Sequence, residues 1–482
     1  MYVLAIDQGT TGTTTVLYDQ DGRIAARAYR ELTQIYPHPG WVEHNPLEIW
    51  QTVLETVEEV CSTHRGEIAA IGITNQRETA ILWDKSTGQP IYNAIVWQCR
   101  RTAEFCEQLR EHEATLRQRT GLPVDANFSG SKIRWILDHA KQWRLENTLF
   151  GTIDSWLIWK LTDGKVHATD YTNAARTLLF DIHTRKWDEE LCELLQVPMS
   201  ILPQAHHSVG DFGEVSSLDA IKGIPILGVA GDQQAALFGQ ACFDKGQLKN
   251  TYGTGSFVVM NTGDTPVLSE QGLVTTLAIA GDKSPCYALE GSIFVAGAAI
   301  QWLRDELNLL DHASDSEAMA LSVDDNAGVY LVPAFAGLGT PHWDMNARGL
   351  LTGLTRGANR NHLVRAALES LAYQTTDVLH LMEQATGLKT ESLAVDGGAC
   401  ANDFLMQFQA DILDRRVIRP EIIESTSLGA AYLAGLEAGV WSDTRQLMSL
   451  KTIEAEFRPN MPAQHRDKLL AGWQHAVRQC RS

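Results

Sequence analysis

The sequence predicts an α/β protein of two domains, and three observations carry that expectation. Apolar, β-branched runs of strand length alternate with amphipathic helical patterns along nearly the whole chain. Several of those runs end in a glycine-rich polar turn, the place where open α/β sheets gather ligands. The 482 residues also exceed what a single hydrophobic core usually serves.

The first run, Tyr2-Val3-Leu4-Ala5-Ile6, reads as a short buried strand. Gly9 and Gly12 then punctuate AIDQGTTGTTTVLYDQDG, Thr13 to Leu17 resume a β-branched pattern, and Asp21-Gly22 marks a second turn. The stretch therefore reads as strand, glycine-threonine turn, strand. It carries no Gly-Lys-Ser/Thr ending and opens no helix with G-x-G-x-x-G, which excludes both familiar nucleotide loops. A turn rich in free N–H groups and hydroxyls can still hold phosphate oxygens, and Asp7 beside it suits the hard cation Mg²⁺. A Thr-rich hairpin with a strand-capping aspartate is the plain alternative.

NPLEIWQTVLETVEEVC announces a helix, with Asn45 as N-cap, Pro46 at the first helical position and Glu48 closing a capping-box pattern. Ile68 to Thr74 is the next strand, followed at once by Arg77-Glu78. That pair is either a salt-bridged turn or a donor and acceptor for neighbouring hydroxyls. Trp97 is either a packed aromatic or an apolar wall for a polyol. Arg100-Arg101 read as a solvated helix start, and His206-His207 as a surface loop without metal-ligand spacing.

Four later stretches share one design, an apolar strand running into glycine and a polar group. IPILGVAGDQQAALFGQ places Asp232 and Gln233 at the mouth of a helix, so Asp232 is either a helix cap or a proton acceptor. NTYGTGSF sets Thr254 between Gly253 and Gly255. YALEGSIFVAGAAIQWL puts Gly297 and Gln301 on one helix face, and in LAVDGGACANDFLMQF Gly397 and Gly398 allow close backbone approach while Asn402 begins a helix. KNTYGTGSFVVMNTG repeats the strand, turn and strand of the opening stretch, with a compact crossing between the halves near Gln240 to Asp244.

A formal charge of −19 argues against a nucleic-acid surface or an anionic membrane as the partner. Eight scattered cysteines without a C-x-x-C pair fit a reducing compartment better than a disulfide framework or zinc site. The first strand leaves no room for a signal peptide, and no apolar run approaches the roughly 18 residues that span a bilayer. A cytoplasmic protein without integral membrane association is expected.

DQGTT, GWVEHNP, ITNQRET, YNAIVWQCRRT, AGDQQAALFGQ, NTYGTGSF, IQWLRDE, VPAFAGLGTPHWD, GLLTGLTRG, YQTTDVL and VDGGACANDFLMQFQADIL together resemble the FGGY carbohydrate kinases. The resemblance runs from Tyr2 to about Pro459. It implies the actin-like ATPase fold, with two RNase-H-like domains at residues 1–240 and 241–482 and the active site in the cleft between them. It implies ATP and Mg²⁺, and phosphorylation of a terminal hydroxyl of glycerol. Thr10, Thr11 and Gly12 match the family's first phosphate hairpin and Thr254 the second. Asp7 and Asp232 match positions near the metal, and Gly297, Gln301, Gly398, Ala399 and Asn402 match nucleotide contacts. Arg77, Glu78, Trp97, Asn127, Asp232, Gln233 and Phe257 fall in the polyol pocket, with Asp232 as general base. Three departures stand out. Asn127 replaces a substrate-contacting Tyr, and Thr14 stands where the family often has Arg. SSLDAIKGIP, with only Lys222, is shorter than the Gly- and Arg-rich loop by which fructose bisphosphate inhibits some members, so insensitivity to that sugar phosphate is expected. Asn127 keeps another polyol or a ketose open as substrate. The family also implies a homodimer or homotetramer.

Overall fold

The computed structural model describes residues 1–63, 67–140, 143–269 and 271–481. Its first main sheet holds β1 (Tyr2–Gln8), β2 (Gly12–Asp19), β3 (Ile24–Glu31), β4 (Ile68–Asn75) and β5 (Ile226–Gly231), in the order β5-β4-β1-β2-β3. β1, β2 and β3 form an antiparallel meander, while β4 and β5 add in parallel on the other side of β1. The second sheet holds β6 (Leu248–Tyr252), β7 (Ser256–Gly263), β8 (Val274–Leu277), β9 (Tyr287–Ile293), β10 (Ser392–Asp396), β11 (Arg416–Pro420) and β12 (Ile453–Phe457), in the order β8-β9-β7-β6-β10-β11-β12. Without its edge strands β8 and β12 the second sheet repeats the first. A hairpin carries a third antiparallel strand on one side and two parallel strands on the other. This is the actin-like architecture of paired RNase-H-like halves.

Strand periodicity explains how the first sheet is sandwiched. Leu4 and Ile6 of β1 face one way, into a core with Ile49, Val53 and Val57 of helix α1 (Pro46–Thr63) and with Trp83 and Trp156. Val3 and Ala5 face the other way, onto α2 (Asp232–Gly239) and α6 (Ser425–Glu437). Three further helices, α3 (Gly297–Asp305), α4 (Arg360–Thr386) and α5 (Asp403–Leu413), share a core with the second sheet. α6 comes from the second half of the chain but packs on the first sheet, closely enough that a Cβ on Gly72 of β4 would lie 2.1 Å from the Ala430 carbonyl oxygen.

Two local expectations are corrected. α1 starts at Pro46, and Asn45 Oδ1 accepts from the Leu47 N–H at 3.0 Å, but Glu48 turns instead to the Thr33 N–H at 2.9 Å and closes no capping box. Arg100 and Arg101 are not a solvated helix start. Arg101 is buried against Glu43 (2.6 Å) with its guanidinium 3.9 Å from the Trp41 ring centre, and Arg100 pairs with Asp125 at 2.7 Å. Aromatic faces and a buried carboxylate took Arg101 out of water, while Arg100 stays about a third exposed beside Asp125. Among the described residues all eight cysteines are free, and no helix is long and apolar enough to cross a membrane.

Candidate active site

The two glycine-threonine turns occupy equivalent places in the two sheets. Gly9, Thr10 and Thr11 join β1 to β2, where the Gly9 N–H donates to the Gly12 carbonyl at 2.9 Å. Gly12 has no room for a side chain, since a Cβ would meet the Arg30 carbonyl oxygen at 2.4 Å. Gly253, Thr254 and Gly255 join β6 to β7, closed by the Gly253 N–H on the Gly255 carbonyl at 2.9 Å. The opening threonines divide by role. Thr13 and Thr15 are buried and hydrogen-bond Thr52 and Thr56 of α1, each at 2.8 Å, whereas Thr11 and Thr254 stand exposed at the turns.

The second turn also seats the start of α3. The Gly297 N–H donates to the Gly253 carbonyl at 3.0 Å, and a Cβ on Gly297 would lie 2.7 Å from that oxygen. Gln301 lies one turn further on, exposed. Of the glycine pair after β10, Gly397 takes φ 84° against the Tyr252 backbone, while Gly398 faces open space. Ala399 follows in a short 3₁₀ turn, and Asn402 caps α5 by accepting from the Leu405 N–H at 2.8 Å.

The proposed polyol residues converge from both halves. Trp97 Nε1 donates to Thr10 Oγ1 at 2.9 Å, tying the first turn to the pocket wall. Phe257 of β7 meets Trp97 edge to face at 6.2 Å and lies under the Arg77 guanidinium at 5.8 Å. Arg77 Nε is 3.1 Å from Asp232 Oδ1, so the carboxylate without a cation beside it in sequence has one in space. Asp232 is the first residue of α2 and also accepts from the Gln233 N–H at 2.7 Å. Gln233 Oε1 accepts from the buried Lys249 Nζ at 2.5 Å. Glu78 holds a left-handed φ of 62°, a strained backbone for a non-glycine residue. Its carbonyl oxygen is pinned by Ser129 Oγ at 3.0 Å and Lys132 Nζ at 3.3 Å. Lys132 also donates to the Asn127 carbonyl, which places half-buried Asn127 beside the same support.

Two residues of this cluster were not legible as site residues, Arg176 and Glu290. Arg77 Nη1 donates to Glu290 Oε2 at 2.5 Å, Arg176 Nη2 to Glu290 Oε1 at 2.9 Å, and Arg176 Nε to Glu78 Oε1 at 2.5 Å. With Arg77 Nε 4.0 Å from Glu78 Oε1, the four charges close a buried ring. Nothing in the spacing of NAARTLL or YALEGSI signals it, because the partners lie up to 213 positions apart.

The electrostatics follow from this geometry. Burial raises the pKa of Asp232, Arg77 opposes that rise, and Glu78 and Glu290 reinforce it. Burial also pushes Asp7, at the end of β1, well above its ordinary value, helped by the charges of Asp232 and Glu424. Burial lowers Lys249 to about 8. Burial works against ionised Glu290, yet Arg176 and Arg77 hold its pKa down at about 2. Among the described residues no three His, Cys, Asp or Glu side chains form a metal cluster.

Residues 2–239 match the N-terminal domain, and residues 248–438 the C-terminal domain, of the FGGY family of carbohydrate kinases. The chain belongs to the FGGY family of carbohydrate kinases. Among FGGY relatives, glycerol kinase of Fusobacterium nucleatum is 56% identical over 488 residues, covering 99% of this chain and 98% of that one. Glycerol kinase of Symbiobacterium thermophilum is 57% identical over 493 residues, covering 100% and 98%. The crystal structure of Plasmodium falciparum glycerol kinase with ADP superposes with a TM-score of 0.93 at 37% identity, covering 99% and 98% of the two chains. Gluconate kinase from Lactobacillus acidophilus, at 23% identity and a TM-score of 0.86, shares the FGGY fold.

Proposed function

We propose that this FGGY kinase transfers the γ-phosphoryl group of ATP to a terminal hydroxyl of glycerol, giving sn-glycerol 3-phosphate and ADP. The observation that carries the reading is the full-length identity of 56% and 57% to two glycerol kinases. The converged set Arg77, Glu78, Trp97, Asp232 and Phe257 supports it from the side of the site.

Arg77 and Glu78 offer a donor and an acceptor to adjacent hydroxyls, and the Trp97 and Phe257 rings cover the C–H face of the polyol. Asp232, part-exposed at the start of α2, takes the proton as the hydroxyl oxygen bonds to the γ-phosphorus and the bond to the β-phosphate oxygen breaks. Its raised pKa makes it a better proton acceptor than an ordinary aspartate. The turns at Thr10-Thr11 and Thr254 aim hydroxyls and N–H groups at the phosphates, while Gly297, Gln301, Gly398, Ala399 and Asn402 line the nucleotide side. The charge of Asp232 helps raise the pKa of Asp7, and two neighbouring carboxylates fit Mg²⁺, which otherwise keeps water and phosphate oxygens. When bound there, Mg²⁺ supplies charge neutralisation of the phosphates. We assign the protein to the cytoplasm, where ATP is made and free thiols persist, as a homodimer or homotetramer.

Asn127 favours one second reading, a larger polyol or ketose, because it is shorter than the family's tyrosine and lacks its ring. ADP release with Mg-ATP and glycerol, dihydroxyacetone, erythritol or pentuloses, one at a time, separates the two. Turnover with glycerol well above the rest is expected, and a preference for a five-carbon ketose would overturn glycerol as substrate.

A further inference from the structure

The buried ring of four charges is half made of residues from outside the polyol set. Arg77 hangs from the end of β4, in the half that carries the first sheet, and Glu78 and Arg176 belong to the same half. Glu290 is at the middle of β9, the strand next to the edge strand β8 of the second sheet, with 0% exposure. It alone brings the second sheet into the ring. Both its oxygens are engaged: Oε2 by Arg77 Nη1, and Oε1 by Arg176 Nη2 at 2.9 Å and Arg77 Nη2 at 3.2 Å.

We propose that Glu290 is a positioning residue for polyol binding. It reaches from the second sheet to align Arg77 directly and Glu78 through Arg176, so that the polyol pocket is complete only when the two halves are seated together. The proposal rests on reading Arg77 and Glu78 as the groups that hold the polyol.

Three observations favour this role over simple stabilisation. Burying four ionised groups carries a desolvation cost that their mutual attraction often only offsets, so stability is a poor reason to place a charge ring in a cleft. The two arms of the ring end on the groups assigned to substrate: Arg77 Nε reaches Asp232 at 3.1 Å, and Arg176 Nε fixes Glu78, whose backbone is already held in a left-handed turn. The ring is also left open at one point. Among the described residues, the buried Arg176 Nη1 has no hydrogen-bond partner, although each nitrogen of Arg77 has a hydrogen-bond or ion-pair partner. Arg176 Nη1 is thus a buried donor that the ring itself does not use. With its donors drawn to Glu290, Arg77 is held in one orientation, which lowers the ordering cost of binding a small flexible polyol.

The test compares the parent protein with Glu290→Gln and Glu290→Asp by steady-state kinetics on the polyol that the parent turns over. The Michaelis constants for polyol and ATP are measured separately, and a thermal melt checks folding. In Glu290→Gln the polyol constant is expected to rise about 10–100-fold, the effect of losing hydrogen bonds to a charged group, with the ATP constant within about twofold. Glu290→Asp keeps the charge but withdraws it by one methylene, and about a 3–10-fold rise in the polyol constant alone is expected. If Glu290→Gln does not fold, Glu290→Asp decides. Polyol constants within about twofold of the parent in the folded variants would overturn the proposal, as would polyol and ATP constants that rise together. A parent that turns over no polyol would instead overturn the functional reading, and the positioning role with it; an active parent with indifferent variants removes only the role of Glu290.

Discussion

In the proposed reaction Asp232 has to remain a base while an arginine stands 3.1 Å away. Alone, that guanidinium would make the carboxylate a weaker proton acceptor, but Glu290 and Glu78 share the arginine and burial keeps the pKa raised. Asp232→Asn keeps the shape and removes the base, so kcat should fall about 10²–10⁴-fold with the thermal midpoint little changed. Turnover within tenfold of the parent would take the proton-accepting role away from Asp232. The sequence made most of these residues legible because each follows a strand-like run and a glycine, as Thr10, Asp232, Thr254 and Gly398 do. Arg176 and Glu290 stayed hidden for a physical reason: a salt bridge needs proximity in space, and neither residue sits at a turn that advertises a site. The strain at Glu78 was equally silent, since a left-handed glutamate has no compositional mark.

At the scale of elements, the two hairpins were readable because glycine and threonine punctuate β-branched runs, and both formed where that pattern placed them. Their shared position in two sheets of one topology was not readable, because strand order is set by parallel partners far away in sequence, β4 for β1 and β10 for β6. Helix α6 makes the same point. STSLGAAYLAGLE is rich in small and apolar residues, but nothing in it says that it lies on the first sheet rather than the second. The fit there is backbone to backbone, with no room for a methyl group on Gly72 beside the Ala430 carbonyl. Gly72→Ala should therefore force α6 away from β4 and lower stability by about 1–3 kcal/mol, read as a lower urea midpoint. An unchanged midpoint would mean that the packing of α6 on this sheet gives way freely.

Among the buried acids of the whole molecule, Asp154 and Glu290 stand at opposite ends: burial favours the neutral form of one and cations hold the other ionised, and the contrast bears on how stability responds to pH. Glu290 is the ionised one, at about 2. Asp154 is the other. Burial and the nearby Asp170 push it up to about 7, although the hydroxyls of Thr152 and Thr169 donate to it. In the unfolded chain Asp154 loses its proton near the ordinary value of 3.8, whereas the folded protein keeps it until about 7. Between those values the folded state binds the extra proton, so this group's contribution is fully present below about pH 4 and is lost as pH rises through 7. The loss is on the order of 2–4 kcal/mol. Comparison with Asp154→Asn isolates this group from the other titratable side chains. Urea unfolding of both proteins from pH 4 to 8 should show the parent's advantage over the variant greatest at pH 4 and shrinking toward pH 8. A difference that stays level would place Asp154 ionised in the folded protein, and a cation or an opened hydration path would then have to reach a carboxylate that the fold encloses completely.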